Sequence, residues 1–130
     1  MATWHIAFPR DEYVLVTIAG ELTWPQILQA YREYRARPEF RRGMNALWDL
    51  RDAHLAVSVD EVRAAVDVYS STLDERGTNH SVAYVVNRDV DFGVLRMFEA
   101  YAGRLPYEAG VFRTLPEAEA WLEPRLRPRG

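Results

Sequence analysis

No cysteine and no lysine occur among the 130 residues of this chain. Without cysteine there are no disulfides, no thiolate metal ligands and no thiol nucleophile. Without lysine there is no Walker A phosphate loop, no Schiff-base amine and no lysine-dependent phospho-receiver site. All 16 basic residues are therefore arginine. The seven glycines stand singly, so neither a Gly-x-Ser-x-Gly elbow nor a glycine-rich phosphate loop is present. No apolar run approaches the ~20 residues of a membrane span. Met1 to His5 has neither a basic n-region nor an apolar h-region, so no signal peptide is expected and the cytoplasm is the expected location. A net charge of −3 argues against a nucleic-acid partner. His5, His54 and His80 lie too far apart for a zinc spacing, and no metal or cofactor is expected.

What is present describes an ordinary soluble domain, 48% apolar and 27% charged. Residues 1–130 form one domain, long enough to bury roughly two-thirds of its unfolded surface. The organising stretch is Met44 to Glu61. It opens as a buried strand, Met44 to Leu50, and closes on Ser58-Val59-Asp60-Glu61, the Ser-x-x-Glu start of a capped helix. Ahead of it, Trp4 to Phe8 and Glu12 to Ala19 read as strands joined by a turn at Pro9-Arg10-Asp11. Gly20 ends the second of these. Thr23-Trp24-Pro25-Gln26 then opens a helix whose inner face is Ile27, Leu28, Tyr31 and Tyr34, with Arg32, Glu33, Arg35 and Arg37 facing water. After the organising stretch, Val62, Ala65, Val66, Tyr69 and Leu73 follow helical spacing. Ser81 to Val86 is another buried strand, and Asp91 is read as the N-cap of a helix that turns Val94, Leu95, Phe98 and Tyr101 inward. Gly110 to Phe112 and the Thr114-x-x-Glu117 box start the last strand–helix pair, with Ala118, Trp121 and Leu122 buried. Arg125 to Gly130 reads as a tail. The order β-β-α-β-α-β-α-β-α gives an α/β fold: a mixed, mostly parallel sheet with an N-terminal hairpin and four helices.

Several of these segments resemble the SpoIIAA-like branch of the STAS domains, and more broadly small bacterial STAS/SEC14-like proteins. They are Leu47-Trp48-Asp49-Leu50-Arg51, Arg96-Met97-Phe98-Glu99, Val111-Phe112-Arg113 and Glu117 to Leu122. The resemblance implies an αβ superhelix with no enzymatic activity, used in regulatory contacts or in binding apolar ligands. In signalling members an Asp-Ser-Ser-Gly-Leu-like element precedes the second helix and carries a phosphorylated serine. Ser58 falls at the matching helix start, but the flanking aspartate, second serine and glycine are missing.

Three sets of residues are candidates for function. Asp49 and Asp52 stand where a parallel strand is expected to end, the usual ligand edge of αβ proteins. They would serve as an acid–base or metal pair, or as structural carboxylates held by Arg51 or a helix N-terminus. Ser58 is either a helix cap or an interaction switch. Leu95, Met97, Phe98, Tyr101 and Phe112 would line an apolar pocket between the last two helices and the sheet, or would pack as core. The arginines cluster at Arg35, Arg37, Arg41 and Arg42 and again at Arg125, Arg127 and Arg129, as solvated ends or as a dock for an acidic partner. The expected role is a non-enzymatic regulatory or protein-interaction module, self-associating as a homodimer or meeting another protein. The alternative is a carrier or sensor of a lipid or other small apolar ligand.

Overall fold

The structure is a computed structural model that describes residues 2–10 and 13–126. Among the described residues the chain forms five strands and five helices. They are β1 (Thr3–Arg10), β2 (Tyr13–Thr23), α1 (Trp24–Arg35), β3 (Asn45–Ala56), α2 (Val59–Ser71), the short turn α3 (Leu73–Arg76), β4 (Ser81–Val86), α4 (Asp89–Tyr101), β5 (Glu108–Phe112) and α5 (Leu115–Leu122). Single 3₁₀ turns follow α4 and α5. The strands lie side by side in chain order, β1 antiparallel to β2 and every later pair parallel.

The helices are divided unequally between the two faces. Val14, Val16, Ile18 and Leu22 of β2, Ala46, Trp48 and Leu50 of β3, and Val82, Tyr84 and Val86 of β4 form the larger core. Against them lie Ala30, Tyr31 and Tyr34 of α1, Val62, Ala65 and Tyr69 of α2, and Leu95 and Phe98 of α4. The opposite face buries Leu47, Ala83 and Val85 under Ala118 and Leu122 of α5 and the following Leu126. The alternation of side chains along a strand feeds both layers, which is why these strands carry bulky residues in both registers. Gly110 leaves room on the α5 face, where a Cβ would press on the Phe112 and Trp121 rings and force them to shift.

Several boundaries differ from the sequence reading. β2 runs through Gly20, which adopts φ +97°, and on to Thr23. β3 does not end at Leu50 but continues to Ala56. A register shift lies between Thr17 and Ala19 of β2, opposite Asp49 and Asp52 of β3, and leaves one extra residue on β3. Such a bulge switches the alternation, so Leu50, Ala53 and Leu55 all face the larger core. α4 starts at Asp89, with Arg88 in the N-cap position, so Asp91 is its third residue and not its cap. Tyr101, read as inward, is exposed. Arg35, read as outward, keeps only 11% of its side chain exposed: it lies over the Tyr31 ring and pairs with Glu75. The Thr23, Ser58 and Thr114 helix starts stand as read. Asp11, Glu12, Arg127, Arg129 and Gly130 lie outside the described residues. Among the described residues, no helix is long and apolar enough to cross a membrane.

The smaller core depends on few residues, so α5 is the element most easily undocked. Trp121, read as buried, would be the natural anchor of the helix but is only half-buried, against Phe112 and under Arg125. Leu122 is 2% exposed and takes that role. Leu122→Ala should lower stability by about 2–5 kcal/mol in urea unfolding, and Trp121→Ala by less. A larger loss for Trp121→Ala would show that the indole, not Leu122, holds the helix.

Candidate functional site

The aromatic face of the sheet does not close completely. Between it and α1, α2 and α4 lies a chamber with about 510 Å³ of empty space, part of it open to solvent. Leu22, Trp24, Ile27, Leu50, Leu55 and Val57 wall it where β2 and β3 run into their helices, and Val62, Ala65, Val94, Leu95 and Phe98 wall it from α2 and α4. Among the described residues, Glu61 is its only charged lining residue. That carboxylate is already engaged: its Oε1 accepts the Ser58 N–H at 2.8 Å, while Ser58 Oγ accepts the Glu61 N–H at 3.2 Å. Ser58 is thus a helix cap with its reciprocal partner in place.

The far side of β3 from β2 explains how α4 is held over this chamber. β4 pairs with β3 only as far as Leu50↔Val86, so the later half of β3 has no strand beside it there. The Leu55 N–H donates instead to Asp91 Oδ1 at 2.9 Å. Asp91 is 1% exposed, and the N-terminal turn of α4 favours its negative charge. One carboxylate both closes the open ladder and fixes the helix.

Beyond the chamber, a second and much smaller cavity shares its Trp48, Tyr69 and Tyr84 walls. It is completed by Tyr31, Tyr34, Arg76, His80, Val82 and Tyr107, with about 10 Å³ open to the centre of a water-sized sphere. That is room for about one water molecule. Tyr69 and Tyr84 stand in the partition between the two spaces. Burial raises the pKa of Tyr31, Tyr34, Tyr69, Tyr84 and Tyr107, so all five stay protonated near neutrality. Tyr31 exchanges a hydrogen bond with Thr72 Oγ1 at 2.9 Å, and Tyr34 OH accepts from Arg76 Nε at 3.1 Å. Arg76 and His80 are each 2% exposed. His80 stacks on Tyr107 with ring centres 4.3 Å apart. Burial, then the Arg76 charge, push its imidazole down to about 3, against a smaller upward pull from the Thr78 carbonyl. Neither ring nitrogen reaches hydrogen-bond geometry.

The candidate residues from the sequence are dispersed. Leu95 and Phe98 line the chamber. Met97 packs half-buried on the larger core without lining it. Tyr101 is 37% exposed and lies beneath the Arg63 guanidinium. Phe112 belongs to the opposite face, against Trp121. The expected pocket between the last two helices does not form, because α4 and α5 cover opposite faces of the sheet. Asp49 sits mid-strand, gripped by Arg51 through Nε–Oδ1 and Nη2–Oδ2 bonds of 2.8 Å each. That hydrogen bonding lowers its pKa, which suits a structural ion pair. Asp52 is exposed on β3 opposite Ala19. Among the described residues, no three His, Asp or Glu side chains gather as metal ligands would. Trp48, Tyr69 and Tyr84 fell within segments read as core, but nothing local marked Arg76 or His80 as buried.

No family model and no curated relative matches the sequence. A solved structure does match in shape: an uncharacterised protein of the DUF3478 family with a SpoIIAA-like fold, from Shewanella loihica PV-4. The two superpose with a TM-score of 0.56 over 93% of each chain at 18% identity. The fold is SpoIIAA-like. Within this SpoIIAA-like sheet the chamber occupies the edge where β2 and β3 give way to α1 and α2, and the tyrosine cavity lies deeper on the same face.

Two outcomes follow from these groups. Asp91→Ala orphans the Leu55 N–H and should cost about 1–3 kcal/mol, whereas Asp91→Asn keeps an acceptor and should recover most of the loss; urea midpoints of the two variants decide it. His80 has an unfolded value of 6.5 and a folded value of about 3. Between these pH values the unfolded chain takes a proton that the folded chain refuses, so stability falls with pH there and is unaffected by this group above 6.5. His80→Gln should flatten that decline by up to ~1.4 kcal/mol per pH unit. Parallel pH–stability curves for the two proteins would place His80 outside the packed core.

Proposed function

We propose that this domain is a non-enzymatic binding module that takes a small apolar molecule into the chamber and serves a regulatory role. One observation carries the reading: a cavity on the sheet face walled by Leu, Ile, Val, Trp, Tyr and Phe side chains, with one carboxylate already committed to a helix cap. An apolar, concave, partly open site with few polar groups suits a hydrophobic occupant and offers no nucleophile–base pair to transform it. The resemblance noted in the sequence, with its regulatory contacts and apolar ligands, agrees.

A second reading has its own support. Val59 and Val90 are 47% and 64% exposed, at the starts of α2 and α4, on the edge that also carries Ser58. Exposed aliphatic groups on a chamber rim suit a partner protein or a second copy of the chain. Both readings meet if occupancy of the chamber alters that rim.

Native mass spectrometry of freshly purified protein, with 1-octanol as added probe, tests the proposal. The expected result is a saturable adduct in the wild type that is lost in Ala65→Phe, whose ring would fill the chamber. Trp24 and Trp48 fluorescence should respond over the same concentrations. A clean apo mass that octanol leaves unchanged, seen as a dimer, would overturn the ligand reading in favour of the interaction module.

A further inference from the structure

Arg76 is a buried cation with no counter-charge. Its Nη1 and Nη2 have no hydrogen-bond partner among the described residues, and no carboxylate lines the cavity they border. The rings of Tyr34 and Phe40 lie 5.6 and 5.5 Å from the guanidinium carbon, cation–π contacts that leave both Nη atoms without a hydrogen-bond acceptor. Taking an arginine out of water without a partner is among the costliest arrangements in a core. The backbone nonetheless holds it there. The Arg76 carbonyl accepts the Gly43 N–H at 2.8 Å. Gly77 follows at φ +96°, where a Cβ would collide with the Gly43 backbone nitrogen. Two glycine-dependent turns thus lock the base of this side chain.

The remaining walls supply donors and no negative charge. Tyr34 OH accepts from Arg76 Nε, which leaves its own proton to donate. His80 is neutral at neutral pH, so its ring offers one N–H donor beside one bare nitrogen, neither with a partner among the described residues, and Tyr107 stacks beside it. We propose that Arg76 holds a small monovalent anion in this cavity: a free ion such as chloride, or the carboxylate end of an acid whose chain occupies the chamber. The size of the cavity, about one water molecule, admits a halide or a carboxylate oxygen and excludes sulfate and phosphate. The shared Trp48, Tyr69 and Tyr84 walls place the site next to the chamber. Only the second source rests on the ligand reading above; the first stands without it.

Thermal unfolding of the whole chain at neutral pH tests the site, with sodium chloride titrated against sodium sulfate at matched ionic strength. Sulfate should raise the midpoint without saturation in any variant, through general exclusion from the surface. Chloride should give an additional, saturable rise in the wild type that Arg76→Met lacks. Methionine fills much of the same volume without a charge, and such exchanges at buried ions are tolerated. Crystals of the wild type grown in bromide provide a readout that needs no variant: an anomalous peak within hydrogen-bonding distance of Nη1 or Nη2. Octanoate and 1-octanol separate the sources. Octanoate binding that chloride opposes, and that Arg76→Met weakens about tenfold or more, assigns the anion to the ligand's carboxylate. Octanoate and octanol bound alike in both proteins assign it to a free ion, provided the chloride effect is present. Chloride and octanoate responses unchanged by Arg76→Met, or a bromide-free cavity with no saturable chloride effect, would overturn the proposal and leave water as the occupant.

Discussion

The extra residue in β3 governs which side chains reach the aromatic face. Up to Leu50 the alternation sends Ala46, Trp48 and Leu50 to the larger core and Leu47 to the α5 layer. Continued without interruption, it would turn Asp52 and His54 inward and Ala53 and Leu55 outward. Two polar side chains would then be driven into a layer of tryptophan and tyrosine, at a cost of several kcal/mol for an unpaired charge. The bulge opposite Thr17 and Ala19 resets the alternation. Ala53 and Leu55 stay inside, and Asp52 and His54 stay on the far face. The chamber wall beyond Leu50 exists because of that reset. So does the need for Asp91, since the bulged strand outruns β4 and its Leu55 N–H must find another acceptor.

The packing above that strand is aromatic rather than aliphatic. Tyr31 meets Tyr34 and Tyr69 edge-on at 5.4 and 4.8 Å, and Phe98 meets Tyr69 and Tyr84 in the same manner. Each such contact is worth about 0.5–1.5 kcal/mol beyond the area it buries. The geometry fixes ring orientations, and a planar ring held edge-on cannot turn to fill a gap as leucine or methionine would. Open space beside the rings is therefore retained. The tyrosine hydroxyls need partners, which bring polar groups into the layer: Thr72 for Tyr31 and Arg76 for Tyr34. Arg76 brings more donors than the tyrosines can satisfy.

What could be read from the sequence follows the range of the interactions involved. Caps are local, so Thr23, Ser58 and Thr114 were visible as helix starts. Asp91 was misplaced by one turn because a carboxylate suits both the cap and the third position, and its tie to Leu55 joins segments 36 residues apart. The bulge broke the alternation that strand recognition relies on, and so β3 seemed to end at its first charges. The partner of Asp49 was nonetheless foreseeable, since residues two apart share one face of a strand and Arg51 is that neighbour. Tyr101 has helical spacing from Phe98, but it sits at the free end of α4, where Arg63 takes its ring face. Pairing Phe112 with residues of α4 assumed that consecutive helices cover one face. Nothing in local periodicity says on which side a crossover passes. Arg76 follows Asp74 and Glu75 and reads as surface; only the meeting of two distant glycines buries it.

Glu61 and Arg76 carry opposite charges on either side of the chamber's inner wall. Glu61 is half-buried on the first turn of α2, with Oε1 bound to the Ser58 N–H, so its negative charge is fixed at the solvent side of the cavity. Arg76 lies behind the Tyr69–Tyr84 partition, with its positive charge uncompensated. Between them the lining is apolar; solvent screens Glu61, whereas the buried Arg76 charge is screened much less. A molecule with a neutral head gains little from this arrangement beyond the burial of its chain. On the proposal above, an anionic head is disfavoured beside Glu61 and favoured beside Arg76, so an acid would place its head beyond the partition and its chain in the chamber. The chamber is thus flanked by opposite charges, one on a helix cap and one on a buried arginine.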